Sequence, residues 1–568
     1  MAKTENLTLS GGQIALHALA DNGAEVIFGY PGGAIMPTYD AMAMEGAPDL
    51  RHVLVRHEQG AMHAAQGYAR MKKEPGVSLV TSGPGATNTV TGLMDALMDS
   101  TPLVVVSGQV SSHLIGKEGF QEAPVTAITK SATKWSKLTT RVSEIAPDID
   151  TAFSIAAGGR PGPTLVDIPK DVQLAETVYD SNRLKPARVE IPLTSESLAK
   201  LQKAASLLNE AQRPYILAGH GVLLSEASQE LLSLAEKGHI PVANTLHGLS
   251  SFPQDHELFV GMLGMHGRYS ANMLTNEADV ILALGMRFDD RVTGDLKKYA
   301  RDARIIHVDI DNHQLGRLVT AEVPINLDTK TALDVLFDLV NPGDYKEWIE
   351  KFRRLDEVEQ EKVTNALLDS SSQELKMAEI VDLLSRKTGG EAVVVADVGQ
   401  HQMVAAQHYK TSKPDSFISS GGMGTMGFSL PAAIGAKIAV PDRQVISISG
   451  DGGFQMNIQE LGTIMQERLP VKMIILNNSH LGMVRQWQEL FHGGRESFVD
   501  LQNPDFVNVA AAYRIPGERV VRRQNLSEAL DRMLASQGAY LLEIVVEKEE
   551  NVFPMIPAGA GVNEVRLF

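Results

Sequence analysis

The chain has 568 residues, 43% hydrophobic and 21% charged, the balance of a globular protein with three or four domains of ordinary size. A formal net charge of −17 with no basic run argues against nucleic-acid binding, and the absence of cysteine excludes disulfides, thiolate metal sites and a cysteine nucleophile. No apolar run approaches the ~18 residues of a membrane span and the N-terminus lacks a signal core, so a cytoplasmic chain without membrane contact is expected.

In chain order, residues 1–175 alternate helical and strand patterns. Ser10 to Asn22 predicts a helix, Val26 to Phe28 a strand, and Gly29 to Ala34 (GYPGGA) the turn at its end. The strand Val53–Val55 runs into Arg56-His57-Glu58-Gln59-Gly60 and an alanine-rich helix. Three more apolar runs follow, VSLVTSGPGATN, PLVVVSGQ and PTLVDIP, each stopped by Gly, Ser or Pro. Strands of this kind between helices predict a parallel α/β sheet. The charged stretch 171–195 reads as a linker. A second α/β unit (196–340) has strands in PYILAG, PVANTL, DVILALG and RIIHVDID, with no GxGxxG fingerprint. The helical stretch 345–368 and the polar run DSSSQE (369–374) form a second linker. A third unit (375–550) has strands in AVVVADVG, FISS, VISISG, VKMIIL and YLLEIVVE, and the tail 551–568 packs over the rest. The predicted class is α/β, with three doubly wound parallel-sheet domains.

The densest signal runs from Val445 to Trp487. Gly450-Asp451-Gly452-Gly453 breaks one buried strand where a doubly wound sheet binds ligands, and Asn477-Asn478 ends the next strand at the same edge. One carboxylate, one amide oxygen and backbone carbonyls make a hard oxygen set suited to Mg²⁺. Glycines at a helix N-terminus let backbone N–H groups approach a phosphate. Gly-Asp-Gly followed after 24 residues by Asn-Asn resembles the diphosphate motif of thiamine-diphosphate (ThDP) enzymes. An ordinary βαβ turn with an Asp cap is the alternative for this stretch by itself.

With GYPGGA, RHEQGA, LVTSGPGATN, FQE, GRPGPTLVDIPKD, GMLGMHG, RFDDRVTG, DVGQHQM, GGMGTMGFSLPAAIGA, LGMVRQWQ and ENVFPMIPAGA, all in order, nearly the whole chain resembles the catalytic subunit of acetohydroxyacid (acetolactate) synthase. The resemblance implies a pyrimidine-binding domain (1–175), an FAD-binding domain (196–340), a diphosphate- and Mg²⁺-binding domain (375–550) and a tail (551–568). It implies a transferase of branched-chain amino-acid biosynthesis. Pyruvate would lose CO₂, and its two-carbon remainder would pass to a second pyruvate or to 2-ketobutyrate. An FAD-linked pyruvate oxidase or another ThDP decarboxylase is the alternative.

Residue by residue, the resemblance assigns catalysis to Glu58, Gly33 and Gln121, with Glu58 sharing a proton with the pyrimidine ring of ThDP. Tyr30, Pro31, Gln400, His401, Gly424, Met426, Gly452 and Gly453 would contact ThDP, with Met426 as the wedge that bends it and Gly424 offering its carbonyl. Asp451, Asn478 and the backbone carbonyl of His480 would hold Mg²⁺, the His480 ring facing solvent or substrate. Arg160, Met265, His266, Gly285, Arg287, Asp289, Arg291, Asp309 and Asp328 would contact FAD. His220, in Gly219-His220-Gly221, is bulkier than the glycine the family pattern implies. Phe120, Arg287, Met483 and Trp487 would shape the acceptor pocket. The partners implied are a second copy completing each site, in a homodimer or tetramer, and a separate small regulatory subunit.

Overall fold

The computed structural model describes residues 7–369, 371 and 374–568. In the first unit the strands are β1 (Leu7–Ser10), β2 (Val26–Gly29), β3 (Arg51–Leu54), β4 (Gly76–Val80), β5 (Leu103–Gln109), β6 (Trp135–Leu138), β7 (Pro163–Pro169) and β8 (Glu176–Tyr179). The middle unit has β9 (Pro214–Ala218), β10 (Val242–Asn244), β11 (Phe259–Met262), β12 (Val280–Leu284), β13 (Arg304–Asp309) and β14 (Val323–Asn326). The third has β15 (Val393–Ala396), β16 (Phe417–Ser419), β17 (Val445–Gly450), β18 (Lys472–Asn477), β19 (Gly517–Val520) and β20 (Tyr540–Val545).

Three six-stranded parallel sheets result, ordered β3-β2-β4-β5-β7-β6, β11-β10-β9-β12-β13-β14 and β16-β15-β17-β18-β20-β19. Central strands such as β5 and β17 are buried along their whole length, as strands covered by helices on both faces must be. The first and third sheets share one winding order. Each reverses direction between its first and third strands, at β2/β4 and at β15/β17; the middle sheet reverses at β9/β12. Such reversal points open a crevice beyond the strand ends, because neighbouring loops leave to opposite faces of the sheet.

One expectation changes. The stretch 171–195 is a linker only from 180 to 194, because Lys170–Leu174 is helical and β8 pairs antiparallel with β1. The second linker is helical as expected, Lys346–Glu359 continuing through Leu367, and DSSSQE lies partly outside the described residues.

The first and third units meet through two helices, Glu58–Lys72 and Ser429–Ala439, inside one hydrophobic core. A Cβ on Gly67 would stand 2.0 Å from the Ala432 carbonyl oxygen, and one on Gly435 would stand 1.8 Å from that of Ala64. Only glycine permits backbones this close. The pairs 64/435 and 67/432 run in opposite senses, so the helices are antiparallel. Both start at the ligand-binding edge of their sheets, so the two edges point to opposite ends of the contact.

Candidate active site

The β15/β17 crevice holds a cleft of about 420 Å³. Its lining includes Gln400, His401, Met426, Asp451, Gly452, Gly453, Asn478, His480 and Met483, all singled out from the sequence, together with Val398, Leu481 and Val484, which were not. Asp451 opens the helix Asp451–Met456, and Asn503 Nδ2 donates to its Oδ2 at 2.7 Å. Burial raises the Asp451 carboxyl to about 6, against the lowering effect of the Asn503 bond. A cation beside it would relieve that cost.

The Asn pair divides its work. Asn477 donates to Glu543 at 2.7 Å inside the sheet, while Asn478 lines the cleft and its Oδ1 accepts the His480 N–H at 3.1 Å. The His480 ring does not face solvent or substrate as expected. It is buried, with Nδ1 3.1 Å from the Asn478 carbonyl and Nε2 2.9 Å from Asp500, because a short antiparallel bridge to Asp500 folds over it.

His401 lies flat between the strand ends, where Cβ atoms on Gly399 and Gly450 would both meet its ring at 2.8 Å. Burial lowers its pKa to about 4, so the ring is neutral, and its buried Nε2 has no hydrogen-bond partner among the described residues. An orphaned polar nitrogen, a carboxylate short of a counter-charge and an open helix start fit a metal–diphosphate group. Gln400 is already engaged, donating to Gln486 Oε1 at 3.0 Å and to the Glu550 carbonyl at 2.8 Å. A Cβ on Gly453 would meet Asp397 Oδ1 at 2.7 Å, so packing as well as ligand access requires glycine there. Buried Asp397 in turn accepts the N–H groups of Gly427 (2.9 Å) and Ser429 (3.1 Å), fixing the loop that carries Gly424 and Met426. Gly424 has a φ of 66°, which a side chain would strain.

At the ligand edge of the first sheet, Glu58 is the first residue of its helix and accepts from Asn88 Nδ2 at 2.9 Å. Gly32 packs on Thr81, so the GYPGGA and SGPG turns meet at the β2/β4 reversal. Gln121 sits nearby with a left-handed φ of 61°, its carbonyl against Gly83. Tyr30, Pro31 and Gly33 are exposed, and Phe120 is 89% exposed. None of these residues lines the cleft of its own chain. The Gly67 contact is nine residues along the helix from Glu58, roughly 14 Å at 1.5 Å per residue, and Arg70, further along still, bonds the Ser419 carbonyl at 2.7 Å.

In the middle unit, Gly219 and Gly221 pack on the loop after β12, where Gly285 has a φ of 53° and a Cβ would stand 2.4 Å from Gly221 Cα. His220 does not crowd this approach, because its ring turns away to stack on His247 at 5.2 Å. Arg160 reaches across from the first unit to Asp311 at 3.3 Å, next to buried Asp309, whose carboxyl burial raises to about 6. Among the described residues the buried His266 Nδ1 has no hydrogen-bond partner, and Arg291 Nη1 contacts the Met265 sulfur at 3.6 Å. These orphaned groups and close glycine backbones fit a dinucleotide. Asp289 and Asp328 act as helix caps, each accepting two backbone N–H groups on Oδ1. Arg287 lies 3.8 Å from Asp289 and reaches the third unit, where a Cβ on Gly422 would meet its Nη2 at 3.2 Å.

The helix Gly482–Phe491 clasps the tail on one side. Gln486 exchanges hydrogen bonds with Val552, and Arg485 holds Asn551 at 2.6 Å. Met483 and Val484 are left facing the cleft, and half-buried Trp487 packs on Phe491 at 5.1 Å, outside the cleft lining of the single chain. The tail then crosses to the middle unit, where Ile556 N–H donates to the Met265 carbonyl at 2.8 Å.

Family comparisons agree with this layout. Residues 9–128 match the thiamine pyrophosphate enzyme N-terminal TPP binding domain, 201–336 the central domain and 397–544 the C-terminal TPP binding domain. The chain is 43% identical to the acetolactate synthase isozyme 2 large subunit of Escherichia coli, over 98% of this chain and 99% of that one. It is 43% identical to a probable acetolactate synthase large subunit of Methanocaldococcus jannaschii (98% and 95% covered) and 42% identical to the chloroplastic acetolactate synthase of Arabidopsis thaliana (98% and 84%). Identity sustained through all three sheets makes this chain a member of the acetolactate synthase large-subunit family of thiamine-pyrophosphate enzymes.

Proposed function

We propose that the protein condenses two 2-ketoacids: pyruvate loses CO₂ and its two-carbon remainder joins a second pyruvate, giving 2-acetolactate, or 2-ketobutyrate, giving 2-aceto-2-hydroxybutyrate. These products lead to valine, leucine and isoleucine. The observation that carries the reading is the cleft that gathers Asp451, Asn478 and the unpartnered His401 at one reversal point. When bound, ThDP supplies the electron sink for breaking and making the carbon–carbon bonds. Asp451, Asn478 and the His480 carbonyl hold Mg²⁺. His401, Gln400, Gly452 and Gly453 would hold the diphosphate, Met426 would pack as the apolar wedge against the cofactor, and Gly424 would offer its carbonyl. Glu58 holds a proton at the pyrimidine ring, in the acid–base role that a half-buried carboxylate at a strand end can fill.

Glu58 belongs to the cleft of a second copy in this reading, since the antiparallel helices turn it away from the cleft of its own chain. Exposed Phe120, Tyr30, Pro31, Gly33 and the adjoining Gln121 cross to the same partner cleft, where Phe120, Arg287, Met483 and Trp487 surround the acceptor. FAD would occupy the middle unit, held by Arg160, Met265, His266, Gly285, Arg287, Asp289, Arg291, Asp309 and Asp328. The reaction balances without net oxidation, so the flavin delivers no electrons to it. The division 1–175, 196–340, 375–550 and tail 551–568, a cytoplasmic location and a separate small regulatory subunit belong to the same reading. The large-subunit names of the relatives support the last, and among the described residues no helix is long and apolar enough to cross a membrane.

The test is product analysis with pyruvate plus 2-ketobutyrate, with and without FAD, under anaerobic conditions. Both acetohydroxyacids should form while the flavin stays oxidised. Bleaching of the flavin with release of acetate would replace this reading with a pyruvate oxidase.

A further inference from the structure

Outside the cleft, a buried polar cluster joins all three units. Asp99, at the end of the helix Val90–Met98, is 2% exposed, accepts three hydrogen bonds and lies beside a fourth group, His247, whose Nε2 stands close without hydrogen-bond geometry. Its Oδ2 takes Arg70 Nη2 at 3.0 Å and the Gly421 N–H at 3.0 Å; its Oδ1 takes the Gly422 N–H at 2.7 Å and faces His247 Nε2 at 3.1 Å. Asp95, one turn earlier, binds the hydroxyls of Ser420 and of Thr425 (2.9 Å). The backbone N–H of Thr425 adds a bond to Ser420 at 2.8 Å. The start of the loop that carries Gly424 and Met426 is therefore gripped by two carboxylates from the first unit.

The fourth contact comes from elsewhere. His247 follows β10 in the middle unit and stacks on His220, which sits in the Gly219–Gly221 turn at the β9/β12 reversal. Gly421 is glycine because a Cβ there would strike His247 Nε2 at 2.2 Å, so the imidazole presses directly on the loop. A dinucleotide lying on Gly219, Gly221 and Gly285 would touch the turn that holds His220. Displacement of that turn passes through one ring stack and one polar contact to Asp99. The path has two links, with Asp99 buried and the two histidines half-buried.

We propose that His247 and Asp99 are positioning residues that couple flavin binding in the middle unit to the order of the 421–427 loop, so that FAD tightens the binding of ThDP–Mg²⁺ without touching it. This rests on the proposed function for the identity of the two ligands. Coupling between sites is reciprocal, so each ligand must raise the affinity for the other by the same factor, here expected to be about tenfold.

The experiment measures dissociation constants of ThDP–Mg²⁺ by protein fluorescence, with and without saturating FAD, and of FAD by flavin fluorescence, with and without ThDP–Mg²⁺. In His247→Leu the ring and its polar contact are lost. The coupling factor should fall below about twofold, while the affinity for each ligand taken separately stays within about twofold of wild type. His247→Gln offers Asp99 an amide donor but no ring for His220 to stack on, so it should leave the factor low as well. An unchanged factor in His247→Leu, or a factor of one in the wild type, overturns the proposal. If the wild-type chain binds no ThDP–Mg²⁺ at all, the proposed function falls with it, and that result is distinguishable from lost coupling.

Discussion

Replacing Asp451 with asparagine should stabilise the cofactor-free protein while abolishing its response to cofactor. The carboxyl rises from 3.8 to about 6 on folding because burial removes its hydration faster than Asn503 replaces it. A shift of roughly two pH units is worth about 3 kcal/mol at 1.36 kcal/mol per unit. The sign follows from linkage. Below about pH 4 the group is protonated folded and unfolded, and costs nothing. As pH rises through about 6 the folded state loses a proton it holds more tightly than the unfolded state does, and stability falls. Asparagine imitates the neutral acid, so its advantage should be complete above pH 6 and vanish below about pH 4. The assay is urea unfolding of metal-free, ThDP-free protein at pH 7.5 and at pH 4, then at pH 7.5 with Mg²⁺ and ThDP. Wild type should gain stability from the additions, and Asp451→Asn should gain almost none. An apo variant no more stable than wild type at pH 7.5, or one still protected by Mg²⁺ and ThDP, would refute the view that this site stores a cost that the cation relieves.

The same carboxyl predicts that apparent Mg²⁺ affinity, measured by ThDP-dependent fluorescence change, weakens about tenfold per pH unit below about 6 and is flat above it. Gly67→Ala gains about 1 kcal/mol of helix propensity but places a methyl 2.0 Å from the Ala432 carbonyl. Overpacking costs about 1–3 kcal/mol and more where backbone must move, so chemical denaturation should show net destabilisation. Mixing inactive Glu58→Ala and Asp451→Ala proteins under subunit exchange should restore part of the acetolactate-forming activity, and no recovery after proven exchange would count against sites completed by a second copy. Trp487→Leu should lower the preference for 2-ketobutyrate over pyruvate by several-fold, the range expected when a pocket stops sensing one methylene. Equal product ratios in variant and wild type would remove Trp487 from the acceptor pocket.

The sequence by itself determined the central strands, because Val, Ile and Leu in runs bounded by Gly, Ser and Pro have few alternatives to a strand buried on both faces. It determined Asp451 and Asn478 as neighbours, since two adjacent parallel strands end at one edge. Several edge strands escaped it, though β3 and β16 did not. Trp135–Leu138 and Gly517–Val520 are short and mixed in polarity, and the pairing that makes them strands lies in β7 and β20 rather than in their own residues. Partners distant in the chain were equally invisible: Asn503 on Asp451, Asp397 under Gly453, and Asp99 on Gly421, 322 positions away. Only the tertiary structure decided that the His480 ring is occupied by Asp500, and that Glu58 turns away from the cleft of its own chain. Both outcomes come from packing: a bridging segment in one case, and in the other two antiparallel helices locked backbone to backbone at Gly67 and Gly435.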